Sequence, residues 1–496
     1  MNIKRAKNEI KNALRAYFAR DAFGVYRIPP IRQRPILLMG PPGIGKTQIM
    51  QQIADETGVG LVSYTLTHHT RQSALGLPYI EHETFDGQEY AVTAYTMSEI
   101  IASVYREIAR TGVREGILFL DEINCISETL SPMMLQFLQC KTFGNQQLPA
   151  GWVVVAAGNP PEYNKSVREF DVVTLDRVKR IDVEEDFTVW KEYAYRRGVH
   201  GAILSYLEIR RDHFYRVEAA ADGMQFVTAR GWEDLSELMQ VYESLGLPVD
   251  RQVVGQYLQL PRVASDFANY LQLYEKYKRV YRIEEILNGS WEKLRARELA
   301  DAAFDEKLGV IGLLIARLTD SARETYRLDG LTGALHQDLI CVREGEKTLG
   351  TLLDEKQAAL AHHRAAGAAD RDALFVAARE AERLAGFQQT ISLEKVPRGQ
   401  AFDRLKALFQ DDVQARADAA EQTDRQLANA FAFLDEAIPN SQELVLFATE
   451  LTANYFISWF IQNFGSDAYY AHNKQLLFDD TQQRLLDEIR QARQEL

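Results

Sequence analysis

The stretch of sequence that decides the fold reads Ile36-Leu37-Leu38-Met39-Gly40-Pro41-Pro42-Gly43-Ile44-Gly45-Lys46-Thr47. Four apolar residues precede a glycine-rich loop with the pattern G-x-x-x-x-G-K-[ST], and a run with helical character follows. Glycines let backbone N–H groups turn towards phosphate oxygens, and the start of the next helix adds the positive end of its dipole. The stretch therefore predicts a strand, a phosphate-binding loop (the P-loop, Gly40–Thr47) and a helix.

The last two residues of the P-loop are expected to contact the nucleotide and its metal. Lys46 is predicted to reach the β- and γ-phosphates of ATP, and Thr47 to bind Mg²⁺. The alternative is a glycine loop that arose by chance. The strand before the loop and the helix after it argue against that alternative.

A second apolar strand, Ile117–Leu120, ends in the two carboxylates of Asp121 and Glu122. A parallel strand buried on both faces is apolar, and its C-terminal end faces the ligand crevice. Asp121 is therefore predicted to hold Mg²⁺, directly or through water. Glu122 is predicted to orient and deprotonate the attacking water. An exposed acidic turn is the alternative.

Two further polar residues lie beside predicted strands. Asn159 follows the apolar strand Val153–Ala157 and is predicted to position the water near the γ-phosphate, unless it is only a turn residue before proline. Arg177 precedes the fifth strand and is predicted to act as a finger that reaches the γ-phosphate of a neighbouring subunit. Arg180 is the second candidate for the finger, and a solvated charge cluster is the alternative for both.

Arg230 lies in the helical region beyond the sheet and is expected to contact phosphate from a lid, with Trp232 packing it in place. A helix start capped by Thr228 is the alternative, and both can hold together. His68 and His69 follow the second strand without forming a metal-binding triad. A loop role is favoured for them, and a role in sensing or between subunits stays open.

Short Ile-, Val- and Leu-rich runs separated by helical segments indicate a parallel sheet covered on both faces. The five predicted strands are Pro35–Met39, Leu61–Leu66, Gly116–Leu120, Trp152–Ala157 and Arg180–Val183. Hairpins are predicted around Asp86-Gly87 and within Lys141–Ala150, which holds Gly144-Asn145. The sequence thus predicts an α/β nucleotide-binding domain over residues 1–190 that begins with a helix. A helical lid over 191–288 and an α-helical C-terminal domain over 289–496 are expected to follow.

The composition of the 496 residues is that of a globular protein, with a formal net charge of −13. Nucleic-acid binders usually carry a basic footprint, so this charge argues mildly against nucleic acid as a partner. Cys125, Cys140 and Cys341 form no metal-binding pattern, which suits a reducing compartment. Polar residues interrupt the apolar stretch Leu444–Phe464, which indicates a buried core helix rather than a membrane span. The expectation is a soluble cytoplasmic protein.

Taken together, the motifs resemble those of the AAA+ ATPases in their order along the chain: Gly40–Thr47 (Walker A), Leu118–Glu122 (Walker B), Asn159 (sensor 1), Arg177 (arginine finger) and Arg230 (sensor 2). Two stretches look like the MoxR-type branch of that family: Ala74-Leu75-Gly76-Leu77-Pro78 and Ala156-Ala157-Gly158-Asn159-Pro160-Pro161-Glu162-Tyr163. The two predicted hairpins fall where that branch carries its inserts.

The resemblance implies a ring, expected to be a hexamer, with ATP at the subunit interfaces. MoxR-type ATPases act as chaperones that remodel or activate partner proteins, often one with a von Willebrand factor A domain. A protein remodeller driven by ATP is therefore the leading hypothesis. A nucleic-acid-dependent AAA+ motor is the alternative.

Overall fold

The computed structural model describes residues 1–68, 76–143, 146–163, 167, 170–220, 223–366, 371–397 and 400–474. The chain forms two compact units. The sheet unit comprises Met1–Trp190 and Tyr215–Trp232, and the helical unit comprises Lys191–Phe214 and the chain from Glu233 onwards. The domain boundaries predicted at residues 190 and 288 stay predictions.

In chain order, the strands are β1 (Ile36–Met39), β2 (Gly60–Thr65), β3 (Pro78–Phe85), β4 (Gln88–Tyr95), β5 (Gly116–Asp121), β6 (Thr142–Phe143), β7 (Gln146–Gln147), β8 (Trp152–Gly158), β9 (Lys179–Asp182), β10 (Arg216–Ala220) and β11 (Gly223–Val227). The first eight helices, up to the one that contains the third crossing between the units, are α1 (Ile3–Phe18), α2 (Lys46–Thr57), α3 (Glu99–Thr111), α4 (Ser131–Cys140), α5 (Val172–Leu175), α6 (Phe187–Arg197), α7 (Gly201–Ile209) and α8 (Ala229–Leu245). The later helices are α9 (Arg251–Tyr257), α10 (Pro261–Tyr281), α11 (Ile283–Leu287), α12 (Lys293–Asp301), α13 (Phe304–Arg343), α14 (Leu349–Ala366), α15 (Arg371–Leu393), α16 (Ala401–Ala437), α17 (Gln442–Ala453) and α18 (Tyr455–Phe464).

Five strands form one parallel sheet in the order β2-β5-β8-β1-β9. Successive side chains of a strand point to opposite faces, so the sheet buries two apolar layers. Leu37, Leu118 and Val154 contribute to one layer, together with residues of α3 and α4. Ile36 and Phe119 contribute to the other, together with residues of α1 and α2. The predicted N-terminal helix, five-stranded parallel sheet and mostly helical remainder are confirmed.

Two antiparallel hairpins interrupt the sheet unit where the sequence predicts them. Strands β3 and β4 pair through the turn Asp86-Gly87, whose φ angles of 52° and 79° suit a two-residue hairpin turn. Strands β6 and β7 form the second, and its predicted turn at residues 144–145 lies outside the described residues. The Gln146 side chain joins β7 to the segment that follows β4, since it accepts a hydrogen bond from the Ser98 amide at 2.6 Å and donates to the Thr96 carbonyl at 3.0 Å.

A third hairpin was missed from the sequence. The chain beyond residue 191 was expected to be helical almost everywhere, but β10 and β11 pair antiparallel between α7 and α8. An Asp222-Gly223 pair between β-prone residues was the available signal.

The predicted core helix at Leu444–Phe464 is wrong in detail, because two helices, α17 and α18, meet there with a bend of 82°. Asn454 ends the first helix and caps the second, since its Oδ1 accepts from the amides of Phe456 and Ile457. Within the described part of the chain, no single helix is long and apolar enough to cross a membrane. This bent pair meets such a test only by length and composition.

Candidate active site

The P-loop connects β1 to α2, as the sequence predicts. Gly43 and Gly45 have φ angles of 76° and 90°, a region that residues with a side chain rarely adopt. A Cβ atom on Gly43 would lie 3.0 Å from the Cβ atom of Thr228, which follows β11. The loop thus has a backbone conformation and a packing that require glycine, which is the residue that an anion-binding loop of this pattern needs.

Lys46 is buried at the start of α2, and its ammonium group has three hydrogen-bond partners. The Nζ atom donates to the carbonyl oxygens of Gly40 and Pro41, both at 2.7 Å, and to Oδ1 of Asn159 at 2.8 Å. Burial lowers the pKa of Lys46 to about 8, although the charges of Asp121 and Glu122 oppose this shift. An ammonium group has three N–H donors. Phosphate oxygens must therefore replace at least one of these partners.

Thr47 and Asp121 come together as predicted. The Thr47 hydroxyl donates to Oδ2 of Asp121 at 2.8 Å, and Oδ1 of Asp121 accepts the Glu122 amide at 3.0 Å. Mg²⁺ prefers oxygen ligands and is commonly held by one or two protein oxygens together with phosphates and water. A hydroxyl and a carboxylate at the phosphate loop fit that ion, and these two side chains would hold it.

Glu122 lies one residue beyond β5 in a strained backbone conformation. Its φ angle is 57°, in the left-handed region that non-glycine residues seldom adopt. The next residue, Ile123, donates its amide to the Ala157 carbonyl at 2.9 Å, so the turn is fixed against β8. Such strain is found at functional sites where the surrounding structure holds it. The Glu122 charge also acts electrostatically on Lys46, which places the two predicted site residues near one another.

Asn124 is a residue that the sequence analysis did not single out. Its buried side chain donates to the Asn159 carbonyl at 2.8 Å and accepts the Asn159 amide at 3.3 Å. A Cβ atom on Gly158 would lie 2.6 Å from Oδ1 of Asn124, so the two segments pack closely. Asn124 thus fixes the backbone of the residue whose side chain contacts Lys46. An Asn two positions after Glu122 carries no signal of its own in the sequence.

The segment around β10 and β11 contacts the P-loop at both ends. Tyr215, just before β10, donates its hydroxyl to the Pro42 carbonyl at 3.0 Å. Thr228 accepts a hydrogen bond from the Gly231 amide at 3.2 Å and caps α8, which is the alternative predicted for the segment around Arg230. Arg230 is exposed, and its charge lowers the pKa of Lys46, so it lies near the site. Trp232 is fully buried in the same unit. Tyr215 was not predicted from the sequence.

Arg177 and Arg180 contact other groups of the sheet unit. Arg177 is exposed and donates to Oε1 of Gln139 near the end of α4. Arg180 is also exposed and donates to Oδ1 of Asp182 at 2.8 Å. In the described residues neither guanidinium group hydrogen-bonds to the P-loop. The role of Arg177 as a finger for a neighbouring subunit, with Arg180 as the second candidate, stays a prediction.

The two histidines after the second strand remain untested. His68 ends a short 3₁₀ turn, and its side chain is not described. His69 lies outside the described residues, as does part of the stretch Ala74–Pro78. Over the described ranges, no group of three or more His, Cys, Asp and Glu side chains could hold a metal ion.

Comparison with known proteins bears on the sheet unit. Residues 36–178 match the family described as "ATPase family associated with various cellular activities (AAA)". No curated protein matches the chain. A solved structure of a candidate ATPase from Cytophaga hutchinsonii is 18% identical, over 36% of this chain and 46% of that chain, with a TM-score of 0.22. The chain thus matches less than half of that protein's length, and so low a TM-score adds nothing to the assignment. The family match covers the P-loop, Asp121, Glu122 and Asn159, and residues 36–178 are therefore an ATPase domain of the AAA family.

Proposed function

We propose that the protein uses ATP and Mg²⁺ to remodel or activate a protein partner, as a hexameric ring of the MoxR type in the cytoplasm. Thr47 and Asp121 hold Mg²⁺, and Lys46 binds the phosphates. Glu122 activates water, which Asn159 orients, and Arg230 contacts phosphate. The hydrogen bonds from Thr47 to Asp121 and from Lys46 to Asn159, and the charges of Glu122 and Arg230 near Lys46, support this assignment of roles.

The observation that carries the proposal is the hairpin formed by β3 and β4. Every residue of β3 is exposed, and the hairpin is inserted between β2 and α3 of the ATPase domain. Side chains alternate along a strand, so one face of the ribbon carries Tyr79, Phe85 and, from the paired strand, Tyr90. These three side chains are 47%, 52% and 49% exposed. Exposed aromatic side chains of this kind are typical of surfaces that bind proteins.

The charge of the hairpin favours a protein over a nucleic acid. Residues 77–97 contain four carboxylates, Glu81, Glu83, Asp86 and Glu89, and no lysine or arginine. Phosphate backbones are bound through positive charge, and an acidic ribbon repels them. A nucleic-acid-dependent motor is therefore the weaker proposal. The partner surface is expected to be apolar and cationic, and a protein with a von Willebrand factor A domain is the candidate from the MoxR resemblance.

The ring rests on the proposed role of Arg177. The side chain is exposed and hydrogen-bonds to Gln139 rather than to its own P-loop in the described residues. A finger supplied by the neighbouring subunit accounts for an exposed arginine at this position. Assembly is thus a requirement for full hydrolysis under this proposal.

The experiment compares ATPase stimulation by protein and by DNA. A Glu122→Gln variant is used to capture a partner in the ATP state, and the purified partner is then added to the wild-type enzyme. We expect the partner to raise the ATPase rate and DNA to leave it unchanged. In a Phe85→Ser/Tyr90→Ser variant, the ratio of stimulated to basal rate should fall towards one.

The matched control removes an exposed apolar side chain elsewhere. Val241 on α8 is 53% exposed, and Val241→Ser should retain stimulation by the partner. Stimulation by DNA, or equal stimulation of the hairpin variant and the wild type, would contradict the proposal.

A further inference from the structure

A cavity of about 460 Å³ lies within the helical unit and is lined wholly by residues of that unit. Its volume falls within the range of about 300–1,000 Å³ that is typical of small-molecule sites. The lining contains six arginine and lysine residues against four aspartate and glutamate residues. The wall of the cavity is therefore richer in positive charge, although the chain as a whole is acidic.

Two of the arginines belong to α13 and share one carboxylate. Arg323 and Arg327 lie one turn apart, and their Nε atoms donate to Oδ1 of Asp372 at 2.8 Å and 2.7 Å. Asp372 is in the first turn of α15, and its side chain is only 5% exposed. Its carboxylate is thus a buried anchor that fixes the position of both guanidinium groups.

Two more arginines, from α6 and α15, share a second carboxylate. The Nη2 atom of Arg371 lies 2.6 Å from Oε1 of Glu237, and the Nη2 atom of Arg197 lies 3.6 Å from it. Neither Glu237 nor Asp372 lines the cavity, whereas all four arginines do. The two carboxylates therefore lie outside the cavity wall to which the arginines contribute. Four guanidinium groups share these two carboxylates. Asp320, which lines the cavity, also interacts electrostatically with Arg323, and positive charge still exceeds negative charge at this wall.

Ring contacts restrict the α13 arginines further. The guanidinium carbon of Arg323 lies 5.2 Å from the centre of the Phe456 ring, and that of Arg327 lies 4.4 Å from the centre of the Phe375 ring. A guanidinium group has five N–H donors in a rigid fork, and the contacts to Asp372 use one from each side chain. The other N–H donors remain available to a ligand. Because the ring contacts and the shared carboxylate hold the planar groups in place, binding a ligand would cost little side-chain entropy.

We propose that Arg197, Arg323, Arg327 and Arg371 bind the phosphate groups of a small molecule inside this cavity, at a site separate from the P-loop. Guanidinium forks match the geometry of phosphate oxygens and bind them in pairs of parallel hydrogen bonds. The apolar part of the wall, which includes Leu204, Leu308 and Ile311, accommodates the rest of the ligand. The site is independent of the proposed remodelling activity.

The test measures binding to the full chain by isothermal titration calorimetry. The P-loop also binds phosphates, so the titrations use a Lys46→Ala background. The probes are inorganic pyrophosphate and ribose 5-phosphate, which separate a purely inorganic ligand from an organic phosphate. We expect saturable binding of at least one probe, weakened by added salt. Absence of heat and of thermal stabilisation with both probes would overturn the proposal.

Variants then assign the binding to the arginines. Arg197→Gln with Arg371→Gln should weaken binding by about tenfold or more, because charge-assisted hydrogen bonds to phosphate are lost. Glu237 is half exposed and tolerates the loss of its partners, so the fold should survive. The control is Arg379→Gln, also on α15, whose guanidinium pairs with Glu382 at 2.8 Å outside the cavity lining. Equal affinity in the double variant and the control would overturn the assignment.

A second variant tests Arg323 and Arg327, which share the buried carboxylate of Asp372. Alanine at Arg323 or Arg327 would leave Asp372 with fewer buried partners and would risk the fold. Arg323→Lys with Arg327→Lys keeps the charge opposite Asp372 and removes the forks. Weaker binding with an unchanged melting temperature is the expected result. Wild-type affinity in this variant would contradict a role for the forks.

Discussion

The ATPase site in the sheet unit and the arginine-lined cavity in the helical unit are built in different ways. In the sheet unit, Lys46 begins the helix that the P-loop connects to β1, and Glu122 and Asn159 directly follow β5 and β8 of the same parallel sheet. In the helical unit, Arg197 and Arg371 come from helices far apart in sequence. A shared strand edge brings residues together by topology, and the short spacing around each strand is visible as a motif. Helix packing brings distant residues together without leaving such a spacing.

The largest effect we predict tests whether the sheet unit hydrolyses ATP alone or only beside a neighbour. Arg177→Ala should lower the ATPase rate by about 10²-fold or more, since an arginine finger supplied in trans contributes about 10³–10⁵ in GTPases. Arg180→Ala is the control, because Arg180 pairs with Asp182 in its own chain. The measurement is the steady-state ATPase rate over a range of protein concentrations, and the wild-type rate per subunit should rise as rings assemble.

A mixing series of the same variant separates trans from cis. Arg177→Ala subunits mixed with Glu122→Gln subunits should regain activity, because some interfaces then pair an intact Glu122 with an intact Arg177. If mixed rings form and the rate stays at that of either variant alone, the role in trans is wrong. A larger loss with Arg180→Ala would move the finger to that residue.

The next prediction concerns pH and uses the buried position of Lys46. Burial lowers the pKa of Lys46 to about 8 in the nucleotide-free protein. Above that pH the ammonium group loses its proton and its charge, so the affinity for ATP should fall as pH rises. One pH unit above the pKa, the loss should be about tenfold. Fluorescent ATP-analogue titrations between pH 7 and 9 check it.

The control for this titration is Lys46→Gln, which has no charge at any pH. Because this side chain does not titrate, the affinity of the variant for ATP should be weak and should stay constant between pH 7 and 9. A wild-type affinity that is constant over the same range would show that Lys46 does not titrate there. A wild-type affinity in Lys46→Gln would refute the phosphate contact itself.

Asn124 tests whether the site extends beyond the recognised motifs. Asn124→Ala removes both hydrogen bonds to the Asn159 backbone and should lower kcat by about tenfold, the low end of what a lost positioning contact costs. The double variant with Asn159→Ala should be no slower than Asn159→Ala alone, because both changes remove one function. Full additivity of the two effects would count against the positioning role.

A matched asparagine in the other region provides the control for that experiment. Asn429 on α16 donates its side-chain amide to the Leu287 carbonyl at 2.8 Å in the helical unit. Asn429→Ala should lower the melting temperature without lowering kcat. An equal loss of kcat in both variants would remove the distinction between the two regions.

The smallest predicted effect concerns Tyr215 and the P-loop. Tyr215→Phe deletes the hydroxyl that donates to the Pro42 carbonyl at 3.0 Å. A single neutral hydrogen bond contributes about 1 kcal/mol, so the affinity for ATP should fall by about threefold to fivefold. The control is Tyr270→Phe, which deletes a hydroxyl that donates to Ser205 at 2.9 Å in the helical unit. Equal ATP affinity in both variants would mean that Tyr215 does not support the loop.

The sheet was predictable because buried parallel strands must be apolar on both faces, so Ile117–Leu120 and Val153–Ala157 are visible as runs. The P-loop was predictable because close approach of the backbone to phosphate requires glycine at fixed positions, as the φ angles of Gly43 and Gly45 confirm. The turn Asp86-Gly87 was predictable because its φ angles restrict the residue types.

Other features depend on contacts between residues distant in sequence. The pairing of Asn124 with Asn159 spans 35 positions, and that of Tyr215 with Pro42 spans 173. Neither Asn124 nor Tyr215 has a side-chain type or a sequence spacing that is specific for its contact. The bend at Asn454 was also missed, since an asparagine that caps a helix resembles a polar residue that interrupts one.

The central claim is that the carboxylate after β5 activates water for ATP hydrolysis, and Glu122→Gln tests it most directly. The glutamine keeps the size and hydrogen bonding of the side chain but cannot accept the proton. We predict that the variant binds a fluorescent ATP analogue with wild-type affinity and hydrolyses ATP about 10²-fold more slowly, or slower still. The measurement is binding and steady-state hydrolysis on the same preparation. Turnover near that of the wild type, with nucleotide bound, would contradict the account.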